Sequence, residues 1–204
     1  MAKLKGPLFS FGASGAIAKT LVYFPWKDLP VVREYVVPTN PRTARQTTQR
    51  GYLIAAVAKI HAAQADALYP LIETDTVAYA LLGSIQATPR TWFNTICKQW
   101  LDQKVAGKIP VIWAAGSVTE SDGALTFKLT DYAEAGAPAS GKIWYGISKT
   151  ALIHSVDCTT VGLIAGKEIT GLTNKVKYYL QFRPLIEASY INSNSGIYTG
   201  IPKA

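Results

Sequence analysis

His154-Ser155-Val156-Asp157-Cys158 brings imidazole, carboxylate and thiol together in one short segment. Such a trio could serve nucleophilic chemistry or begin a metal site. A structural zinc site needs four ligands, usually in two spaced pairs, and a catalytic one needs three with an open position. The segment supplies one pair, and the other histidine, His61, lies far upstream on an Ala-rich helical pattern. An ordinary loop is the simpler reading. Gly162-Leu163-Ile164-Ala165-Gly166-Lys167-Glu168 falls one residue short of a phosphate-binding loop, and Glu168 stands where Ser or Thr would hold magnesium. Gly12-Ala13-Ser14-Gly15 lacks the dinucleotide triplet, so both glycine pairs read as turns. No acid pair has an identifiable catalytic role. The residues therefore offer no catalytic site, no metal site and no cofactor, and the chain reads as a non-enzymatic protein.

Charge is the stronger signal. Residues 1–60 carry nine Lys or Arg against Asp28 and Glu34, a net of +7 out of +8 for the whole chain. Arg42, Arg45 and Arg50 stand beside Tyr23, Trp26 and Tyr35 in sequence, which pairs phosphate-binding charge with stacking surfaces. Nucleic acid is thus a possible partner but not the favoured one, because no recognised binding motif accompanies these residues and a helix start favours acids over arginines. A carboxylate on a neighbouring subunit, a local ion pair and a solvated basic face are the other readings of Arg42 and Arg45. Cys97 and Cys158 are isolated and read as buried free thiols. No apolar run approaches the roughly 20 residues that span a bilayer, so no membrane partner is expected. Lys3 and Lys5 precede an apolar stretch ending in Ala16-Ile17-Ala18, but Gly6, Pro7, Ser10, Gly12, Ser14 and Gly15 break the hydrophobic core of a signal peptide.

The elements divide into three. Residues 1–38 read as an extended arm with strands at 20–24 and 31–37 around a Pro25–Pro30 bend. A two-stranded ribbon is marginal alone and must pack on something. Phe9, Tyr23, Phe24 and Trp26 exceed what so short a ribbon can cover, and such patches mark interfaces. Pro41 and the Thr43/Gln46 capping-box spacing then open a helix to about Leu68, with Leu53, Val57, Ile60 and Leu68 near one face. A second helix runs from about Asp75 to Gln86 after Thr74. A third opens at Thr88-Pro89 and carries Phe93, Ile96, Cys97, Trp100, Leu101 and Val105. After Lys108 the apolar period becomes two, with strands at 111–115, 125–129, 142–147, 162–169, 176–182 and 196–201. The expected class is α+β: a β-arm, a three-helix middle region and a C-terminal antiparallel β-sandwich, with domains at 1–107 and 108–204.

Ile169 to Arg183, with Leu172 and Tyr178 at corner spacing, resembles a fibronectin type III module, as does Ser193-Asn194-Ser195-Gly196 leading into Ile197–Pro202. The resemblance covers 142–202 and implies that Tyr178 joins the core while its hydroxyl ties the corner. No equivalent of the module's second-strand tryptophan precedes Lys142. Gly12-Ala13-Ser14-Gly15, Trp26-Lys27, Val31-Val32-Arg33, Asn40 to Thr43, Gln46 and Gln49-Arg50 together are similar to uncharacterised phage and prophage proteins. That resemblance implies a virion setting: a capsid decoration, tail or head-to-tail component, made in the bacterial cytoplasm, contacting copies of itself and other virion proteins. Phe9, Tyr23, Phe24, Trp26, Arg33, Arg42, Arg45 and Arg50 are the candidate interface. Two alternatives stay open: an adhesin or carbohydrate-binding module using Trp144, Tyr145, Tyr190 and Tyr198, and a DNA-contacting packaging protein.

Overall fold

The computed structural model describes residues 2–3, 15–37, 39, 42–134, 136, 138–184, 190 and 193–203. The chain forms two compact units, Met1–Thr43 and Ala44–Ala204. It is α+β, with four helices and three antiparallel sheets among the described residues.

The first unit holds a four-stranded sheet of β1 (Ala2–Lys3), β2 (Gly15–Ile17), β3 (Leu21–Trp26) and β4 (Leu29–Glu34), in the order β1-β4-β3-β2. The two strands read from sequence are present, but the proline bend is not. Lys27 and Asp28 form a two-residue turn with φ of 49° and 61°, the left-handed pair that matches hairpin twist. Pro25 pairs with Pro30 inside the strands. Trp26 and Leu29 close the hairpin as its hydrogen-bonded pair, so the prolines fall on the next, non-bonded pair, where neither strand needs an N–H from the other.

The second unit begins with α1 (Ala44–Ala65), α2 (Glu73–Ser84) and α3 (Trp92–Val105). All three helices lie where the 3.6-residue period puts them, with shifted ends. Ala56, Ile60 and Ala63 are the fully buried positions of α1, so alanines carry the close approach to α3. Leu53 is exposed, and Leu68 lies beyond the helix and faces solvent. Helix α3 starts at Trp92, its cap three residues later than Thr88, with Thr91 accepting from Asn94 N.

Two sheets follow. One is β5 (Val111–Ser121), β6 (Ala124–Ala133) and β9 (Lys167–Thr170); the other is β7 (Ser140–Gly146), β8 (His154–Thr159), β10 (Tyr178–Pro184) and β11 (Tyr198–Gly200), in the orders β5-β6-β9 and β11-β10-β7-β8. Their facing side chains form one cluster, including Trp113, Leu125, Phe127, Leu129, Ile143, Ile169, Leu180 and Phe182. The stretch 162–169, expected as a strand, is instead the end of α4 (Thr160–Ala165) followed by β9, with Thr159 capping the helix. His154–Thr159, expected as a loop, is a strand.

The division falls at 43/44 rather than at Gly107. Strand β5 explains why. Val111 and Trp113 point into the cluster between the sheets, while Ile112 and Ala114 join Ile60, Leu82, Ile96 and Trp100 of the helices. One strand buried on both faces joins helices and sheets into a single core, so the change of period at Lys108 marks no junction.

Candidate functional site

The candidate interface residues divide between the two units. In the arm, antiparallel partners share a face. Val22, Phe24, Trp26, Leu29, Val31 and Arg33 lie on one side, and Leu21, Tyr23, Pro25, Pro30, Val32 and Glu34 on the other. Ile17 adds to the second side opposite Leu21. Both faces of the sheet are therefore mostly apolar among the described residues. Among the described residues of the arm only Val31 is buried, while Trp26 is 55% exposed, Leu29 45%, Ile17 44% and Leu21 40%. Tyr23 and Phe24 are half-buried. The Arg33 guanidinium sits over the Phe24 ring at 5.3 Å, which holds a charge against the apolar face. Phe9 lies outside the described residues, as do Asn40, Pro41 and Gly12 to Ser14.

Arg42, Arg45 and Arg50 are exposed, the last two on the first two turns of α1. Those turns make no contribution to the core. From Ala44 to Ile54 every residue is exposed except the half-buried Tyr52, and Ile54 is 70% exposed. The helix thus presents about half its length, with two arginines, two glutamines, Leu53 and Ile54, outside the core that anchors its other end.

The reactive-looking trio is separated by the strand it lies on. Alternation turns Cys158 inward and Asp157 outward. Asp157 pairs with Lys142 at 3.2 Å, and His154 packs on Tyr145 with ring centres 5.3 Å apart. Burial pushes the Cys158 thiol up, with Lys167 opposing, and burial raises Cys97 likewise. Both cysteines are free and buried. Among the described residues no group of three His, Cys, Asp or Glu gathers as a metal site, and no helix is long and apolar enough to cross a membrane.

The corner residues Leu172 and Tyr178 are both buried, and Thr173 N donates to the Tyr178 hydroxyl at 3.1 Å. Of the aromatic candidates for stacking on a sugar, Tyr190 and Tyr198 are buried and Tyr145 packs against the inter-sheet core. Trp144 alone lies on the outer face of its sheet, beneath the Arg183 guanidinium at 5.1 Å.

One polar centre has no signature in the sequence. Asp75, at the start of α2, is fully buried. Its carboxylate accepts from Ile72 N at 2.9 Å, from Gly116 N at 2.8 Å and from the Tyr198 hydroxyl at 2.7 Å. Ala115, at φ 50°, interrupts the β5–β6 register between Ala114 and Ser117, and this irregularity turns Gly116 N toward the helix. Four residues on, the Tyr79 hydroxyl accepts from Trp113 N at 2.9 Å. Burial raises the Asp75 pKa against the pull of its donors and pushes the Tyr198 hydroxyl far up. Fully buried and held by three structural donors, the carboxylate ties α2, β5 and β11 together. Asp75 could be placed in a helix by sequence, but its role depends on a strand irregularity 41 residues away.

Comparison with protein-family models, with curated proteins and with solved structures gives no match for this chain.

Proposed function

We propose that this chain is a non-enzymatic structural protein of a phage-like particle, a capsid decoration, tail or head-to-tail component that assembles with itself and with other virion proteins through its β-arm and the projecting start of α1. One observation carries the reading: among the described residues, both faces of the arm's sheet are mostly apolar and largely exposed. A lone antiparallel sheet in water keeps one face polar, whereas a sheet apolar on both sides gains from being covered on both. The exposed Trp26, Leu29, Leu21 and Ile17 supply anchors of the type found at interface centres. The unburied turns of α1 add a second surface beside which Arg42, Arg45 and Arg50 can meet carboxylates of a neighbour.

A fibronectin type III-like sandwich over residues 108–204 belongs to the same proposal. The strand orders β5-β6-β9 and β11-β10-β7-β8 support it, as does the Tyr178 hydroxyl at the corner. The helix α4 between β8 and β9 is this chain's departure from that pattern.

Sedimentation velocity on the full chain and on a Trp26→Glu/Leu29→Glu variant tests assembly. Both side chains are exposed, so the variant keeps the wild-type circular dichroism. Concentration-dependent association of the wild type that the variant lacks is expected. A wild type that stays monomeric across the micromolar range, or a variant that associates equally, overturns assembly through the arm.

A further inference from the structure

Beyond the part that Tyr179 and Gln181 give to the core, the outer face of the four-stranded sheet carries an arrangement that the assembly reading does not use. Alternation along β10 sends Tyr178, Leu180 and Phe182 between the sheets and turns Tyr179, Gln181 and Arg183 to the opposite face, where Tyr179 packs on the helical core, Gln181 is buried and Arg183 is half-buried. Register then sets Arg183 beside Lys142, Gln181 beside Trp144, Trp144 beside Ser155 and Lys142 beside Asp157. The Arg183 guanidinium is held in two ways: it lies over the Trp144 ring at 5.1 Å, and its Nε donates to Gln181 Oε1 at 2.8 Å. Gln181 is itself fixed, because its Nε2 donates to Ser195 O at 3.0 Å. The nearest acid in register, Asp157, is taken by Lys142. No carboxylate among the described residues pairs with Arg183.

Among the described residues Arg183 is therefore a half-buried cation with no paired carboxylate, its Nε bonded to Gln181 and its guanidinium stacked on Trp144. A guanidinium so oriented matches the two oxygens of a planar carboxylate, and little side-chain entropy remains to be lost when one binds. Around it the donors and acceptors are mixed: the Lys142–Asp157 pair, the Ser155 hydroxyl and the edge of Trp144. Asp157 also lines a cleft of about 330 Å³, with Ser140, Thr159 and Lys167 in its wall. A cation for one carboxylate, an indole, and hydroxyl-sized donor and acceptor groups beside a cleft are the complement of an acidic sugar more than of a peptide strand, whose backbone would seek a sheet edge.

We propose that the outer face of β7, β8 and β10 binds a uronic-acid glycan, with Arg183 holding the uronate carboxylate and Trp144, Lys142 and Asp157 contacting the sugar ring and its hydroxyls. This goes beyond the assembly reading and is independent of the arm.

Isothermal titration of the full chain with tetragalacturonate, with its fully methyl-esterified form and with hexaglutamate tests it. Binding of the free acid is expected, with at least tenfold weaker binding of the ester, which keeps the sugar but loses the charge. Arg183→Lys, which keeps the charge but loses the fork, should weaken binding at least tenfold, and Asp157→Ala, an exposed change that spares the core, should weaken it severalfold. No heat with tetragalacturonate up to millimolar concentration overturns the proposal. So does an Arg183→Lys variant, folded by circular dichroism, that binds as wild type. Equal affinity for hexaglutamate would show a general anion surface and overturn the glycan assignment.

Discussion

Replacing Tyr198 by phenylalanine removes one hydroxyl and nothing else from the packed core, since the ring keeps its contact with Phe127 at 5.1 Å between centres. What is lost is the 2.7 Å hydrogen bond to a carboxylate with no access to water. A hydrogen bond to a charged buried group contributes about 1.5–3 kcal/mol, and one between neutral groups about 1 kcal/mol. The cost of the substitution should therefore depend on pH. Burial raises the Asp75 pKa above its usual value of 3.8. Stability from protonating this group is thus fully present below the unfolded-state pKa and is lost as pH rises through the folded one. The Tyr198 hydroxyl favours the ionised form, so its removal hurts most where Asp75 is ionised. Urea unfolding followed by tryptophan fluorescence should show a loss of about 1.5–3 kcal/mol at pH 7, shrinking toward about 1 kcal/mol as pH falls below the folded pKa. At neutral pH a loss of about 2 kcal/mol corresponds to a melting temperature lower by roughly 4–8 °C for a unit of this size. A change under about 0.5 kcal/mol at pH 7, or the same cost at both ends of the range, would refute the account of Asp75 as an ionisable tie.

Three further outcomes follow from the same core. Gly116→Ala would place a methyl 2.3 Å from Tyr198 Cε1 and should cost about 3 kcal/mol or more in urea unfolding, because both ring and carboxylate bond must move. Ala115→Gly should raise stability by up to about 1 kcal/mol, relieving a left-handed alanine at φ 50°, and the urea midpoint reads it directly. Cys97 and Cys158, buried and pushed up in pKa, should react slowly with a thiol reagent at pH 8 and rapidly in denaturant, which absorbance at the released chromophore measures.

The parts of the fold that could be read in advance are those where local pattern decides. Helix α3 follows from the spacing of Phe93, Ile96, Cys97 and Trp100, and the β5–β6 turn from Asp122-Gly123, whose glycine takes φ 61°. Misreadings came where burial comes from elsewhere. His154–Thr159 has only Val156 and Cys158 as apolar residues because its outer face is solvated, so its strand character is set by pairing with β7. Gly162 to Ile169 is apolar enough for a strand, but the Thr159 side chain caps a helical turn there. Arg183 has no sequence signature for a related reason: nothing local shows that Trp144 and Gln181, on different strands, will hold one guanidinium.

The bonds that close the second unit join positions far apart in the chain: Asp75 to Tyr198 spans 123 residues, Ser193 to Gln103 spans 90, and Trp113 to Ser193 spans 80. In kinetic terms, α2 and α3 can form early as local structure but cannot be locked until β11 arrives, and until then the Asp75 carboxylate has lost half its protein partners on the sheets. Closure of so long a loop is slow and offers no reward until it is complete. The helices and sheets should consequently melt as one transition, and a chain stopped short of Tyr198 should leave its helices loosely docked and open to proteolysis.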